Sequence, residues 1–274
     1  MADLDHRAAG GRRLKDKICI VTGAGQGIGR ATAKRLGAEG GTVVVADRVD
    51  EGATQTMAEL GEHGVAALKI LVDLSTLTGA KELMSKAVAA YGRIDVLVNN
   101  VGGTIWIKPF HLYTEEETVM ELERSLYPTL WGCLAVLPIM MKQKSGSIVN
   151  VGSQSTRGLY RLPYATSKGG ILALTKVLAM EYGRHGIRIN AMAPGGTDIS
   201  DRVVPRQFIK PGVTVEEPED EAAYRREMVE DIRNQQALRR RGLPEEQAAA
   251  IAFLASEDAS FITGQVINCS GGQS

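Results

Sequence analysis

An α/β fold, one parallel sheet wound on both faces with helices, follows from three features of this sequence. Short β-branched apolar runs recur at 18–21, 42–46, 67–72, 96–99, 147–151, 187–192 and 265–268. Between them lie amphipathic stretches, as at 27–39, 52–63, 78–91 and 164–182. The first run ends in a cluster of glycines that opens the first helical stretch. Apolar runs of this length read as strands buried on both faces, and their alternation with helices winds them into a parallel sheet.

Taken in order, 18–21 is the first strand and 42–46 the second, closed by Asp47. The remaining strands and helices continue the same rhythm with no internal repeat and no linker, so one domain spans 14–274. The polar stretch 1–13 reads as a disordered leader without a signal-peptide core. One segment breaks the rhythm. Residues 197–221 carry Pro205, Pro211 and Pro218 among charges of both signs, fit no strand, and admit no helix before about Pro218. An excursion that long within a domain reads as a cover over the substrate, reaching to about residue 230.

Bulk properties exclude several functions. The 32 basic and 32 acidic residues balance, which argues against nucleic acid or an anionic membrane as partner. No apolar run reaches the ~18 residues that span a bilayer. Cys19, Cys133 and Cys269 are odd in number and lack metal-ligand spacing. They read as free thiols in a reducing cytoplasm, with no metal and no disulfide.

The chemistry-bearing motifs are two. Gly23, Gly25, Gln26, Gly27, Ile28 and Gly29 follow the first strand and open a helix. That arrangement brings backbone N–H groups and a helix N-terminus to a pyrophosphate. Asp47, at the end of the second strand, is placed to bond adenosine ribose hydroxyls and to repel a 2′-phosphate, so NAD is expected rather than NADP, with Arg48 beside it as a counter-argument. Further on, Tyr164 and Lys168 stand four apart, one turn of a helix. There an ammonium can lower the pKa of a phenol, whose phenolate then takes a hydroxyl proton as hydride leaves carbon.

TGAGQGIG at 22–29, NNVG at 99–102, IVNVGS at 148–153, YATSK at 164–168, NAMAPGG at 190–196 and TGQVINCSGG at 263–272 occur in one order. Carrying them, the chain resembles the short-chain dehydrogenase/reductase family from about Leu14 to Gly272, which implies a Rossmann-type sheet and a hydride-transfer reaction. The resemblance places Ser153 on the substrate oxygen, with Ser155 as a second candidate, Tyr164 as acid/base, and Lys168 on the nicotinamide ribose. It puts Asp73 and Leu74 at the adenine, Asn99, Val101 and Gly102 along the cofactor, Pro194 and Gly195 by the nicotinamide, and Thr197 by its carboxamide. Ser125 stands where the family usually carries a proton-relay asparagine. A homotetramer is also implied, with the apolar helix 169–180 as a candidate contact.

Three further runs, GGTIW at 102–106, SLYPTLW at 125–131 and APGGT at 193–197, are similar to those of the benzoate cis-dihydrodiol and p-cumate dihydrodiol dehydrogenases within that family. The implied substrate is a small ring cis-diol bearing a carboxylate. Trp106 is then a candidate ring wall, and Arg157, Arg161, Lys108 and Arg206 are candidates for the carboxylate. Two other readings stay open. One is a carbonyl reductase or alcohol dehydrogenase resembling the oxoacyl reductases, and the other an NAD-binding scaffold without turnover.

Overall fold

The computed structural model describes residues 12–199, 202–205, 208–210, 213–215 and 220–273. Its strands are β1 (Ile18–Thr22), β2 (Thr42–Asp47), β3 (Ala67–Leu71), β4 (Val96–Asn99), β5 (Gly146–Val151), β6 (Ile187–Pro194), β7 (Phe208–Lys210), β8 (Val213–Thr214) and β9 (Val266–Cys269). The helices are α1 (Gly27–Ala38), α2 (Asp50–Glu62), α3 (Leu77–Tyr91), α4 (Glu115–Ser125), α5 (Tyr127–Gln143), α6 (Leu162–Tyr182), α7 (Glu221–Gln235) and α8 (Pro244–Ala255). A seven-stranded sheet runs in the order β3-β2-β1-β4-β5-β6-β9, all pairs parallel, and β7 with β8 forms a small antiparallel hairpin. No helix among the described residues is long and apolar enough to cross a membrane.

Strand periodicity builds two cores. Ile20 and Val44 point to one face, where Leu83 and Met84 of α3, Val136 and Met140 of α5 and Ala179 of α6 cover them. Cys19, Val21, Val43 and Val45 point to the other, beneath Leu36 of α1, Leu60 of α2 and Ile251 of α8. The expected strands are all present, with small shifts at their ends. β6 runs on through Pro194, which pairs with Cys269. A terminal strand position tolerates a proline that a central one would not.

Two details depart from the sequence reading. Arg13, assigned to the leader, is part of the folded body, for its Nε donates to the buried Glu39 at 2.7 Å. Residues 1–11 lie outside the described part. The stretch between β6 and α7, read as free of strands, holds the β7–β8 hairpin. Between β4 and β5, α4 and α5 are separate helices broken at Leu126, because Pro128 offers no N–H to the carbonyl four residues back.

A buried polar chain links the middle of the sheet to α6. Asn99 Nδ2 of β4 donates to Asn150 Oδ1 of β5 at 2.9 Å, and Asn150 Nδ2 donates to Thr175 Oγ1 of α6 at 3.0 Å. All three residues are buried. Truncation of the middle one strands its neighbours' polar groups away from water. Asn150→Ala is therefore expected to lower the unfolding free energy by about 2–3 kcal/mol, measured by denaturant titration, and an unchanged midpoint would refute the linkage.

Candidate active site

The strand order reverses between β1 and β4, and the crevice at the carboxyl ends of strands beside such a reversal is where α/β sheets bind ligands. Here that crevice is a cleft of about 760 Å³. Its floor is the glycine loop after β1. Gly23 and Gly27 adopt φ of 62° and 52°, which glycine takes without strain. Thr22 Oγ1 donates to Val98 O at 3.1 Å, and Asn100 Nδ2 donates to the carbonyls of Thr22 and Gly23 at 3.0 and 3.1 Å. Arg30, from the first turn of α1, donates to Gly25 O. The loop is thus fixed from below while its upper surface faces the cleft.

The residues present fit a dinucleotide. A Cβ at Gly25 would stand 2.8 Å from Asp47 Oδ2, so only glycine fits between the loop and the acid. Gln26, the N-cap of α1, makes no side-chain cap to the helix. Its Oε1 instead accepts from Val203 N and Val204 N at 3.0 and 2.9 Å, leaving the first turn uncapped for an anion. Asp47 Oδ2 accepts from Gly25 N at 2.8 Å, and Oδ1 from Arg48 N and Val49 N at 2.7 and 3.1 Å. Lone pairs remain on both oxygens for a ribose diol. Arg48 packs over Phe208 at 5.3 Å, and burial pulls its pKa down. Ile28, Asp73, Leu74, Val101 and Gly102 line the same cleft.

At the other end, β5 delivers Ser153, and α6 delivers Tyr164 and Lys168. Ser153 Oγ accepts from Ser155 N at 2.9 Å, which fixes the hydroxyl and leaves its proton to donate elsewhere. Lys168 is buried, with Nζ donating to Val151 O at 2.8 Å and lying 5.9 Å from the centre of the Tyr164 ring. Burial pushes its pKa down to about 8. Arg161 Cζ also approaches the phenol, 5.8 Å from the ring centre. Pro194, Gly195, Gly196 and Thr197 form the wall beyond β6, and Arg241 Nη2 donates to Thr197 O at 2.6 Å.

Several expected site residues lie elsewhere. Asn99 does not reach the cleft; it belongs to the buried chain through Asn150, and Asn100 is the asparagine of the pair that lines it. Gly29 sits under the loop, where a Cβ would come within 2.0 Å of Gly23 O. Ser125 is fully buried and does not line the cleft; its Oγ accepts from Gly103 N at 3.2 Å and so steadies the loop that passes over Lys168. Trp106 and Lys108 are buried off the cleft, and Lys108 Nζ is paired with Glu117 Oε1 at 2.7 Å. Arg157 is exposed and also off the cleft. Arg206 lies outside the described residues. Of the named cations, Arg161 is the one on the wall.

The sequence reading expected a cover reaching to about residue 230 but named none of its cleft-lining residues and did not extend it to 232–241. Met228, Val229, Ile232 and Arg233 of α7, then Gln236 and Arg239, Arg240 and Arg241, close the cleft from above. The apolar trio at i, i+1 and i+4 in an otherwise charged helix was the available signal. Glu121 was also unforeseen: burial raises its pKa to about 7, yet its work is structural, for Oε1 accepts from Ile105 N and Trp106 N at 2.7 and 3.1 Å.

The chain is similar to known proteins along nearly its whole length. The family described as short chain dehydrogenase matches residues 17–207, and that described as Enoyl-(Acyl carrier protein) reductase matches 207–274. A 1,6-dihydroxycyclohexa-2,4-diene-1-carboxylate dehydrogenase of Acinetobacter baylyi is 47% identical over 95% of this chain and 97% of its own. A protein of the same name from Pseudomonas putida is 42% identical over 95% and 94%. The crystal structure of levodione reductase superposes with a TM-score of 0.83 at 32% identity, covering 95% of this chain and 98% of that one. On these matches the chain belongs to the short-chain dehydrogenase/reductase family of oxidoreductases, enzymes that work with a nicotinamide cofactor.

Proposed function

We propose that the enzyme oxidises a small carboxylated ring cis-dihydrodiol, with NAD as hydride acceptor. The observation that carries this reading is the setting of Tyr164, whose ring has two buried cations near it, Lys168 Nζ at 5.9 Å and Arg161 Cζ at 5.8 Å from its centre, with Ser153 lining the same cleft. One cation suffices to depress a phenol pKa, and a second beside it suits an anionic substrate. The two relatives named for a ring diol carboxylate support the same substrate class. Asp47 supports NAD, since a carboxylate at the end of β2 repels a 2′-phosphate.

In this reading Ser153 donates to the oxygen of the secondary hydroxyl and orients it. Tyr164, as phenolate, takes the hydroxyl proton while the carbinol hydrogen leaves with its electron pair. The nicotinamide ring, when bound, is the acceptor of that hydride. Lys168 holds the charge that favours the phenolate. The carbinol becomes a ketone. Where the carboxylate sits on the neighbouring carbon together with the second hydroxyl, that carbon has no hydrogen to lose and the product is a β-keto acid. Its bond to the carboxylate breaks, carbon dioxide leaves, and the electron pair enters the ring as a catecholate, which takes up a proton. Where the ring is of the p-cumate type, the carboxylate stays and the product is a dihydroxylated aromatic acid. Aromaticity is recovered in both cases, so oxidation is the downhill direction.

Apolar side chains left exposed on α6, Val177 and Met180, and on α5, Leu134, support assembly through these helices into a homotetramer.

Incubation of the enzyme with a benzoate or p-cumate cis-diol and NAD is expected to give NADH, with NADP a far poorer substitute, and Tyr164→Phe is expected to slow turnover by about 10²–10⁴-fold; no NADH from either diol would remove the proposal. The lysine has a cost that can be read apart from activity. With its pKa at about 8 in the fold against the usual 10.5, Lys168 destabilises the folded state fully below pH 8, and this penalty fades as pH rises toward 10.5. Lys168→Met is therefore expected to raise stability near pH 7 by about 2 kcal/mol, after loss of one hydrogen bond, and to lose that advantage by about pH 10; a pH-independent effect would count against a charged lysine. Light scattering is expected to give the mass of four chains, and a monomer would refute the assembly.

A further inference from the structure

The cleft carries many arginines, and most of them have work within the protein. Arg124 Nη1 donates to Phe208 O at 3.0 Å, Arg225 pairs with Glu221 at 2.9 Å, Arg240 with Glu246 at 2.6 Å, and Arg241 donates to Thr197 O. Arg161 differs. It is 8% exposed, its Nε is buried without a hydrogen-bond partner, and among the described residues its guanidinium makes no ion pair. Gly158 leaves it room, since a Cβ there would meet Nη2 at 2.9 Å and Nε at 3.0 Å. The acidic groups that act on it electrostatically, Asp231, Glu121, Tyr113 and Tyr164, do so without a hydrogen bond, and Glu121 is already engaged by backbone N–H groups.

A buried guanidinium without a counter-ion is costly, and is retained where a ligand supplies the missing charge. Arg161 is also the N-cap of α6, so its charge adds to the positive end of that helix dipole. Tyr164 stands three residues further on, and the guanidinium lies over its ring. A carboxylate bound by Arg161 through a bidentate pair, with N···O of about 2.7–2.9 Å, is held close to whatever hydroxyl meets the phenol. Building on the ring-diol reading above, we propose that Arg161 is the carboxylate anchor of the site, and that it selects a carboxylate on the ring carbon next to the carbinol that is oxidised. The specificity lies in position as well as in charge. A carboxylate across the ring points away from Arg161 when the hydroxyl reaches Tyr164.

The test compares three cis-diols in wild type and in Arg161→Gln and Arg161→Lys: one with the carboxylate adjacent to the oxidised carbinol, one with it opposite, and one without it. Wild type is expected to prefer the adjacent isomer over the opposite one by at least about tenfold in kcat/KM. Arg161→Gln is expected to lower the ratio of adjacent-carboxylate to uncharged diol by about a hundredfold, mainly through KM, and Arg161→Lys to restore part of it. An unchanged ratio in Arg161→Gln, or parity of the two isomers in wild type, overturns the proposal; the second comparison needs no variant to fold. Benzoate binding to the NADH complex, followed by cofactor fluorescence, separates this proposal from the reaction assigned above. If wild type turns over no diol yet binds benzoate, and Arg161→Gln does not, the reaction is wrong and the anchor stands. If Arg161→Gln keeps NADH and benzoate binding alike, the anchor is wrong whatever the reaction.

Discussion

The rest of the site depends on one small set of hydrogen bonds, those joining Thr22 and Gly23 to Asn100 and Val98 where β1 and β4 diverge. The sheet changes winding direction there, so the two strand ends send their loops to opposite sides. Without a tie, that parting leaves polar backbone exposed at the bottom of a crevice. With it, the glycine loop and the loop through Val101 and Gly102 share a fixed floor. Gly102 passes over Lys168, where a Cβ would stand 3.0 Å from Nζ, so the same tie also sets the roof over the buried lysine. Cofactor end and chemical end are in this way positioned from a single point.

The fold was legible because the strands are short, apolar and regularly spaced. What they bury is set by alternation, and Val43 against Val44 or Cys19 against Ile20 already encodes two faces. Local spacing singled out the glycine loop, Asp47, Tyr164 and Lys168, the family resemblance added Ser153, and the fold brings them to one cleft. What stayed hidden depends on which neighbour a side chain meets. Asn99 and Asn100 are equivalent in sequence, yet alternation along β4 buries the first among Asn150 and Cys133 and turns the second to the loop. Lys108 carries a charge well suited to an anion, and Glu117, nine residues on, claims it. Arg157 and Arg161 differ by four residues and by everything that matters, one exposed and one buried beside the phenol. The upper wall from α7 follows a segment without periodic pattern; its apolar trio marks a face that must be covered but does not say against what.

The chemical end concentrates features that a protein selected for stability alone would avoid. Lys168 and Arg161 are cations buried near the same ring, each with its pKa pulled down by loss of water. Tyr160, just before Arg161, adopts φ of 61° without being glycine and is held there by Tyr224 at 4.9 Å and by a hydrogen bond to Glu227. Such strain persists only where surrounding contacts over-determine it. Here the contacts come from α7, so that helix both closes the cleft and helps hold the turn that presents Arg161.

Asp47 ties the lining of the cleft to the build of the loop beneath it. Its carboxylate does two jobs at once, facing the cleft and accepting three backbone N–H groups, one of them from the glycine loop itself. A change that removes the charge therefore also loosens Gly25 and the turn at 48–49. Cleft lining and loop architecture are therefore joined in one side chain, and a substitution there calls for a second one to rebuild the turn. That coupling constrains any redesign of the site.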